Sequence, residues 1–205
     1  MLKLWGRVNS INVMKVLWLC DEASIRFDRV DAGMAFGVVT TPEYKAMNPN
    51  ARVPTIDDDG FVLWESNAIV RYLAAKHASA LLPATLPGRA DADRWMDWSA
   101  TTIAGPMLPV FWQLVRTPPD KRDPAVINAA RDECAKAWTL LDAHLASRAF
   151  VCGEAITVGD IPLGCYVHRW FALLLERPTL PHLTAWYERL KTRPAYQRTV
   201  MIPLT

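Results

Sequence analysis

The feature that most constrains this chain is where its hydrophobic period changes. Up to His77 the pattern switches repeatedly between alternation and helical spacing, whereas beyond Gly88 it stays helical. Met1 to Trp5 reads as a short strand. Val13, Val16, Leu17 and Cys20 then recur at i, i+3, i+4 and i+7, which predicts a helix from Asn12, as its cap, to about Ser24. Phe27 to Val30 predicts a second strand, and Gly33 to Thr40 a loop. Pro42 stands at the first position of a short helix that Asn48-Pro49-Asn50 ends. Arg52 to Ile56 and Phe61 to Trp64 flank Asp57-Asp58-Asp59-Gly60, a hairpin signal. Glu65 to His77 carries Ala68, Ile69, Tyr72 and Leu73 on one helical face. The expected order is β-α-β-α-β-β-α.

Two prolines and a glycine between Leu82 and Gly88 mark a linker, placed at residues 81–87. It separates a first domain (1–80) from a second (88–205). The second is expected to be all helical. Arg89 to Arg116 reads as one long helix, bent or broken at Gly105-Pro106 and Pro109. Ile127, Ala130, Cys134, Ala137, Trp138, Leu141 and Leu145 mark a second amphipathic helix. Thr157 to Leu175, Leu180 to Lys191 and Pro194 to Thr199 supply three more. Within Ile156-Thr157-Val158-Gly159-Asp160-Ile161, Thr157 is expected to cap the amide of Asp160 and Asp160 to reach back to that of Thr157. Ile156 and Ile161 would then form a hydrophobic staple, a folding device rather than a catalytic one.

Composition narrows the function classes. Of the residues, 51% are hydrophobic and 21% charged, which suits a globular chain. Net charge is only +2 and no basic run stands out, so neither nucleic acid nor an anionic membrane surface is expected as partner. The start lacks an apolar signal segment and no apolar run approaches a membrane span, so the expected setting is cytoplasmic. Cys20, Cys134, Cys152 and Cys165 lie far apart, and the four histidines are dispersed. Reduced thiols and no metal site are expected. No P-loop, G-x-G-x-x-G, H-E-x-x-H or G-x-S-x-G is present.

Four segments carry a family resemblance. Ser10-Ile11-Asn12-Val13 stands at the first strand–helix junction. Asn48-Pro49-Asn50-Ala51-Arg52-Val53-Pro54 looks like an N-P-x-G-x-V-P segment, with Ala51 in place of the glycine and Arg52 where Lys or Gln is usual. Trp64-Glu65-Ser66-Asn67-Ala68-Ile69 is similar to E-S-x-A-I, and Thr157-Val158-Gly159-Asp160 matches a helix-capping box. In this order the chain resembles the cytosolic glutathione transferases, with an opening and ending like the bacterial B-type subgroup. The resemblance implies an α/β plus all-α fold: a thioredoxin-like βαβαββα domain that binds glutathione, then a helical bundle that forms the electrophile pocket. It also implies a homodimer and a cytosolic detoxifying enzyme with glutathione as cosubstrate.

The chemistry that such an enzyme needs is thiolate stabilisation. A thiol of pKa about 8.5 is little ionised at neutral pH, and lowering it by about two units takes roughly 2.7 kcal/mol. A helix N-terminus and one or two hydrogen bonds to sulfur suffice. Ser10 and Asn12 can both donate. The resemblance favours Asn12 as thiolate ligand with Ser10 assisting, although Ser or Asn before a helix is ordinarily just a cap. It further implies a cis Val53–Pro54 bond, with the Val53 main chain on the cysteinyl unit. Glu65 and Ser66 would hold the γ-glutamyl end and Arg52 the glycyl carboxylate, while Asp97 would reach toward the partner subunit's glutathione. Trp98, Thr102, Met107, Phe111 and Trp112 are expected as pocket walls for a small hydrophobic electrophile, although each also suits core packing. Two other readings stay open. One is a glutathione-dependent disulfide reductase or peroxidase, which would lack the usual C-x-x-C. The other is a non-catalytic adaptor on the same fold.

Overall fold

The computed structural model describes residues 1–205. Its first part is a four-stranded mixed sheet of β1 (Leu2–Trp5), β2 (Asp28–Val30), β3 (Thr55–Asp58) and β4 (Phe61–Trp64), in the order β2-β1-β3-β4. β1 runs parallel to β2 and antiparallel to β3, with Leu4 opposite Ile56; β3 and β4 form the expected hairpin. Three helices accompany it: α1 (Ile11–Glu22), α2 (Pro42–Met47) and α3 (Ser66–His77). The remainder is helical: α4 (Leu86–Trp98), α5 (Ala104–Phe111), α6 (Pro124–Leu145), α7 (Asp160–Ala172), α8 (Pro181–Lys191) and α9 (Pro194–Thr199). The architecture is thus a thioredoxin-like α/β unit followed by a predominantly helical one.

α1 is the hinge of the packing. Every residue from Val13 to Cys20 is buried, Lys15 included, because the helix packs against α3 on one side and α7 and α9 on the other. The approach to α7 is close enough that a Cβ on Gly164 would come within 2.5 Å of the Trp18 ring. The Tyr196 hydroxyl on α9 donates to the Gly164 carbonyl at 2.7 Å, so three helices lock at one point. A Cβ on Gly6 would lie 2.4 Å from a Val13 methyl, so the strand-to-helix turn also depends on a missing side chain.

Several boundaries differ from expectation. Ser10, not Asn12, occupies the cap position of α1. β2 begins at Asp28, and β3 starts at Thr55 because the Arg52 carbonyl is taken by Asn48 and Tyr44 side chains rather than by a strand. α4 begins at Leu86, inside the proline-marked stretch. Thr85 accepts from the Gly88 amide at 3.2 Å, and Pro87 sits in the first turn, where no amide is needed. The long helix is interrupted by π-type segments at Ser99–Ile103 and Trp112–Arg116, not by a break at Gly105-Pro106.

α7 begins at Asp160. The Asp160 carboxylate accepts from the Thr157 amide at 2.9 Å, as expected, but Thr157 Oγ1 takes the amide of Gly159 (3.2 Å), and the Asp160 amide goes to the Thr157 carbonyl. The carboxylate reaches further than a local cap. It also accepts from the Val151 amide at 2.9 Å and Trp186 Nε1 at 3.0 Å. Burial raises its pKa to about 6 despite these donors. With the Thr157 hydroxyl at 3.3 Å, four donors from three separate segments converge on one buried group, and removing it strands them. Asp160→Ala is expected to cost at least about 3 kcal/mol, read as a lower urea midpoint. A loss typical of a surface cap, about 1 kcal/mol, would contradict this account.

Candidate functional site

A polar cleft of about 380 Å³ opens where the N-terminus of α1, the loop before β3 and the start of α3 meet. Asn12, Arg52, Val53, Pro54, Glu65 and Ser66 line it, so these six expected site residues come together, joined by Asn48, Asn50 and Trp64.

Each wall is held by its neighbours. The Asn48 amide donates to the Arg52 carbonyl (2.9 Å) and to Thr55 Oγ1 (3.0 Å), and its oxygen accepts from the Asn50 amide (3.0 Å). The Tyr44 hydroxyl donates to the same Arg52 carbonyl at 2.6 Å. The loop is thereby clamped in the shape that presents Val53. The Val53–Pro54 peptide is cis. The sheet ladder begins only at Thr55, so the Val53 amide and carbonyl take no part in it. On the opposite wall Glu65 has φ +73° as it leads into α3. A positive φ is costly for a non-glycine residue and recurs where a side chain must be aimed.

The chemically informative part is a hydrogen-bond chain. Asn67 Nδ2 donates to the Met96 carbonyl of α4 at 2.7 Å, which turns its Oδ1 toward Lys15 Nζ (3.4 Å). Lys15 Nζ also donates to Ser66 Oγ at 3.3 Å, and Ser66 Oγ donates to Asn12 Oδ1 at 3.3 Å. An ammonium can only donate and a carbonyl can only accept, which fixes the two ends of the chain, and the Ser66 hydroxyl between them accepts from Lys15 and passes its proton to Asn12 Oδ1. Asn12, which lines the cleft at the positive end of α1, is thereby held through its oxygen. The Ser66 hydroxyl proton is committed to Asn12, which leaves the Ser66 main-chain amide at the α3 N-terminus for an anion.

Lys15 is almost fully enclosed, with its Nζ 5.4 Å from the Tyr166 ring centroid. Burial lowers its pKa to about 8; nearby Cys165 and Glu65 oppose the fall and Arg169 adds to it. It stays charged at neutral pH. Nothing in the helical periodicity named Lys15; the available signal was a single lysine inside an otherwise apolar helix.

Other expected residues lie elsewhere. Ser10 is buried at the α1 cap, makes no capping bond with its side chain, and does not line the cleft. Asp97 pairs with Arg71 at 2.6 Å, its side chain 68% exposed, and is not part of the cleft. The five proposed wall residues do not form one wall. Trp98 and Thr102 face a separate cavity against α6, lined also by Pro106, Val126, Glu133 and Leu140. Met107 is enclosed in the core, Phe111 is buried beneath Arg169, and Trp112 is half exposed. The π-type segment at Ser99–Ile103 contributes to this: it inserts about one extra residue, roughly 100° of helical phase, between Trp98 and Met107.

The comparisons with known proteins agree with this geometry. The family model for the glutathione S-transferase N-terminal domain matches residues 1–75, and that for the glutathione S-transferase C-terminal domain matches residues 124–189. The chain is 42% identical to Glutathione S-transferase GstB of Escherichia coli strain K12 over 208 residues, covering 100% of both chains. It is 33% identical to Glutathione S-transferase 3 of Zea mays, covering 99% of this chain and 95% of the relative. It is also similar to the theta class glutathione S-transferase from Xanthomonas axonopodis pv. citri, solved with glutathione bound. The TM-score is 0.97 at 50% identity, covering 100% of this chain and 99% of that one.

The buried lysine has a consequence for stability. Its native pKa of about 8 lies below the unfolded value of about 10.4, so between these pH values the unfolded chain binds more protons and stability rises with pH. Lys15→Met is expected to flatten that rise. Urea midpoints of parent and variant at pH 8 and 10 measure it, and parallel slopes would refute it.

Proposed function

This chain belongs to the glutathione S-transferase family of enzymes, and from that premise we propose that it holds glutathione in the Asn12 cleft and transfers the thiolate to small hydrophobic electrophiles. The observation that carries the reading is Asn12 in the cleft at the N-terminus of α1, held through its oxygen by the chain from Met96 through Asn67, Lys15 and Ser66.

In this reading Asn12 Nδ2–H and the α1 N-terminus stabilise the sulfur anion, with the Ser10 hydroxyl assisting from the cap position. The Ser66 amide takes the γ-glutamyl carboxylate and Glu65 its ammonium. The Val53 N–H and C=O pair with the cysteinyl unit in the manner of an added strand. Arg52 takes the glycyl carboxylate. The thiol proton leaves before attack; the sulfur pair then forms a bond to carbon as the leaving group departs with its own pair. Residues 1–80 supply the glutathione site and 88–205 the second substrate's side, with 81–87 between them. Trp98, Thr102, Met107 and Trp112 fall outside our wall for the electrophile, and Phe111 remains. Asp97 is assigned to Arg71 in this chain, with any contact to a partner's glutathione made across a homodimer. A cytoplasmic detoxifying role completes the proposal; no helix is long and apolar enough to cross a membrane.

The cysteines bear on the disulfide reductase alternative. Cys20, Cys134 and Cys165 are buried, with pKa values pushed up to about 12 by burial, and none lines the cleft. That favours a mechanism in which the only reactive sulfur is glutathione's.

Asn12→Ala should raise the pKa of bound glutathione by about one unit or more, since a hydrogen bond to a charged group is worth about 1.5–3 kcal/mol. Ultraviolet titration of the thiolate in the complex reads this, and turnover at pH 6.5 should fall by about tenfold. Val53→Ala should leave the thiol pKa nearly unchanged, because its contact with glutathione is through the main chain. Equal thiol pKa in Asn12→Ala and parent would overturn the assignment.

A further inference from the structure

Three arginines gather on the other side of the Asn12 turn from the polar cleft. Arg7 lies in the turn itself, its carbonyl accepting from the Ser10 amide at 3.2 Å. Its head lies beside Gly33, as Val53 does: a Cβ built on Gly33 would stand 3.1 Å from Arg7 Nη1 and 3.5 Å from a Val53 methyl. Arg169 comes from α7 and donates to the Asn9 carbonyl at 3.1 Å, its guanidinium carbon 3.9 Å from the Phe111 ring centroid. Arg116, from the end of the second π-type segment, stands 5.7 Å from the same ring and donates to the main-chain oxygen of Thr205 at 2.5 Å.

Two properties mark these arginines together. None of them pairs with an Asp or Glu side chain, unlike Arg29, Arg71, Arg94, Arg131, Arg193 and Arg198. The Nε of each of the three is also buried without an acceptor, which among the arginines is shared only by Arg177, a residue set apart from them over Trp170 and Phe171. They repel one another. Burial lowers the pKa of Arg7 and Arg116 adds to it; burial lowers Arg169 to about 10, with Arg116 and Arg7 adding while Tyr166 and Cys165 oppose. Clustered guanidiniums with unused donors are built for a planar anion, which they can bind in bidentate fashion.

We infer that the second substrate carries a carboxylate, seated on Arg7, Arg116 and Arg169, with its apolar body against Phe111 and Val53. This inference rests on the reading that Asn12 holds the thiolate, and it replaces a purely apolar electrophile with an amphipathic anionic one. Glutathione has carboxylates of its own, but the cleft assigned to them is lined by none of the three arginines. For an aryl halide the step balances simply: the sulfur–carbon bond forms, the carbon–halogen bond breaks, and halide leaves with the bonding pair.

The test uses calorimetry on the full chain saturated with S-methylglutathione, so that binding is read without turnover. 3-Nitrobenzoate should bind at least about tenfold tighter than 3-nitrobenzamide, the size expected of one charge-assisted contact. Added salt should shrink that ratio. Arg7→Gln and Arg116→Gln should each bring it toward unity, and circular dichroism checks that the variants fold. Equal affinities in the parent would overturn the inference, as would a ratio that survives both substitutions. Displacement of S-methylglutathione by the benzoate would assign the cluster to a carboxylate of glutathione and overturn it too. A turnover arm compares 4-chloro-3-nitrobenzoate with its amide, each relative to its uncatalysed rate, and should favour the benzoate by a similar factor. Absence of turnover with the binding preference intact would strike the transferase reading and leave the anion site standing.

Discussion

The structure around the cleft depends on one buried ammonium. Lys15 lies where α1 meets α3, in a position that a leucine would fill at lower desolvation cost. Its three donor protons cannot be reversed, so Ser66 accepts from it, and Ser66 passes its own hydroxyl proton to Asn12 Oδ1. The Met96 carbonyl takes the Asn67 NH₂ and so leaves Asn67 Oδ1 for Lys15. The helical unit therefore braces the Asn12 side of the cleft, although it contributes no side chain to it.

The two sides of the Asn12 turn have opposite chemical character. On one side lie amides, Glu65 and Arg52, a mixed lining suited to a zwitterionic peptide. On the other lie Arg7, Arg116 and Arg169, the last two over the Phe111 ring, a cationic cluster with an aromatic floor. Cationic groups beside the helix N-terminus also favour a sulfur anion, so the field that would hold a charged electrophile and the field that ionises the thiol have the same sign. Stability is provided elsewhere. The Asp160 carboxylate ties α7 to Val151 and Trp186, and Gly164 lets α7 approach Trp18, so the first half of the helix bearing Arg169 is firmly fixed.

Much of the fold was legible in the residues. The order β-α-β-α-β-β-α followed by helices came from changes of hydrophobic period, and the segments around Asn12, Arg52–Pro54 and Glu65–Ser66 did converge on one cleft. Errors clustered where a side chain replaced a backbone partner. β3 starts late because Asn48 and Tyr44 take the Arg52 carbonyl. Asn12 was expected to cap α1, yet its oxygen is spoken for by Ser66 from a helix more than fifty residues away. Trp98, Thr102, Met107, Phe111 and Trp112 do not line one cavity, and the π-type segment at Ser99–Ile103, which nothing in the residue pattern announces, shifts the helical phase between Trp98 and Met107.

What the sequence determined by itself was local: which stretches alternate, which repeat at helical spacing, and where Pro and Gly interrupt them. Those properties depend on neighbours within a turn or two of the chain, and composition along the chain reports them. The tertiary structure decided how charges and hydrogen-bond donors are paired. Lys15, Arg7, Arg116 and Arg169 look in sequence like ordinary basic residues in a chain of net charge +2. Only packing encloses them, keeps them from Asp and Glu side chains and brings Arg116 and Arg169, from separate segments, to one phenyl ring. Electrostatic energy depends on distance and dielectric, and neither quantity exists until the chain has folded.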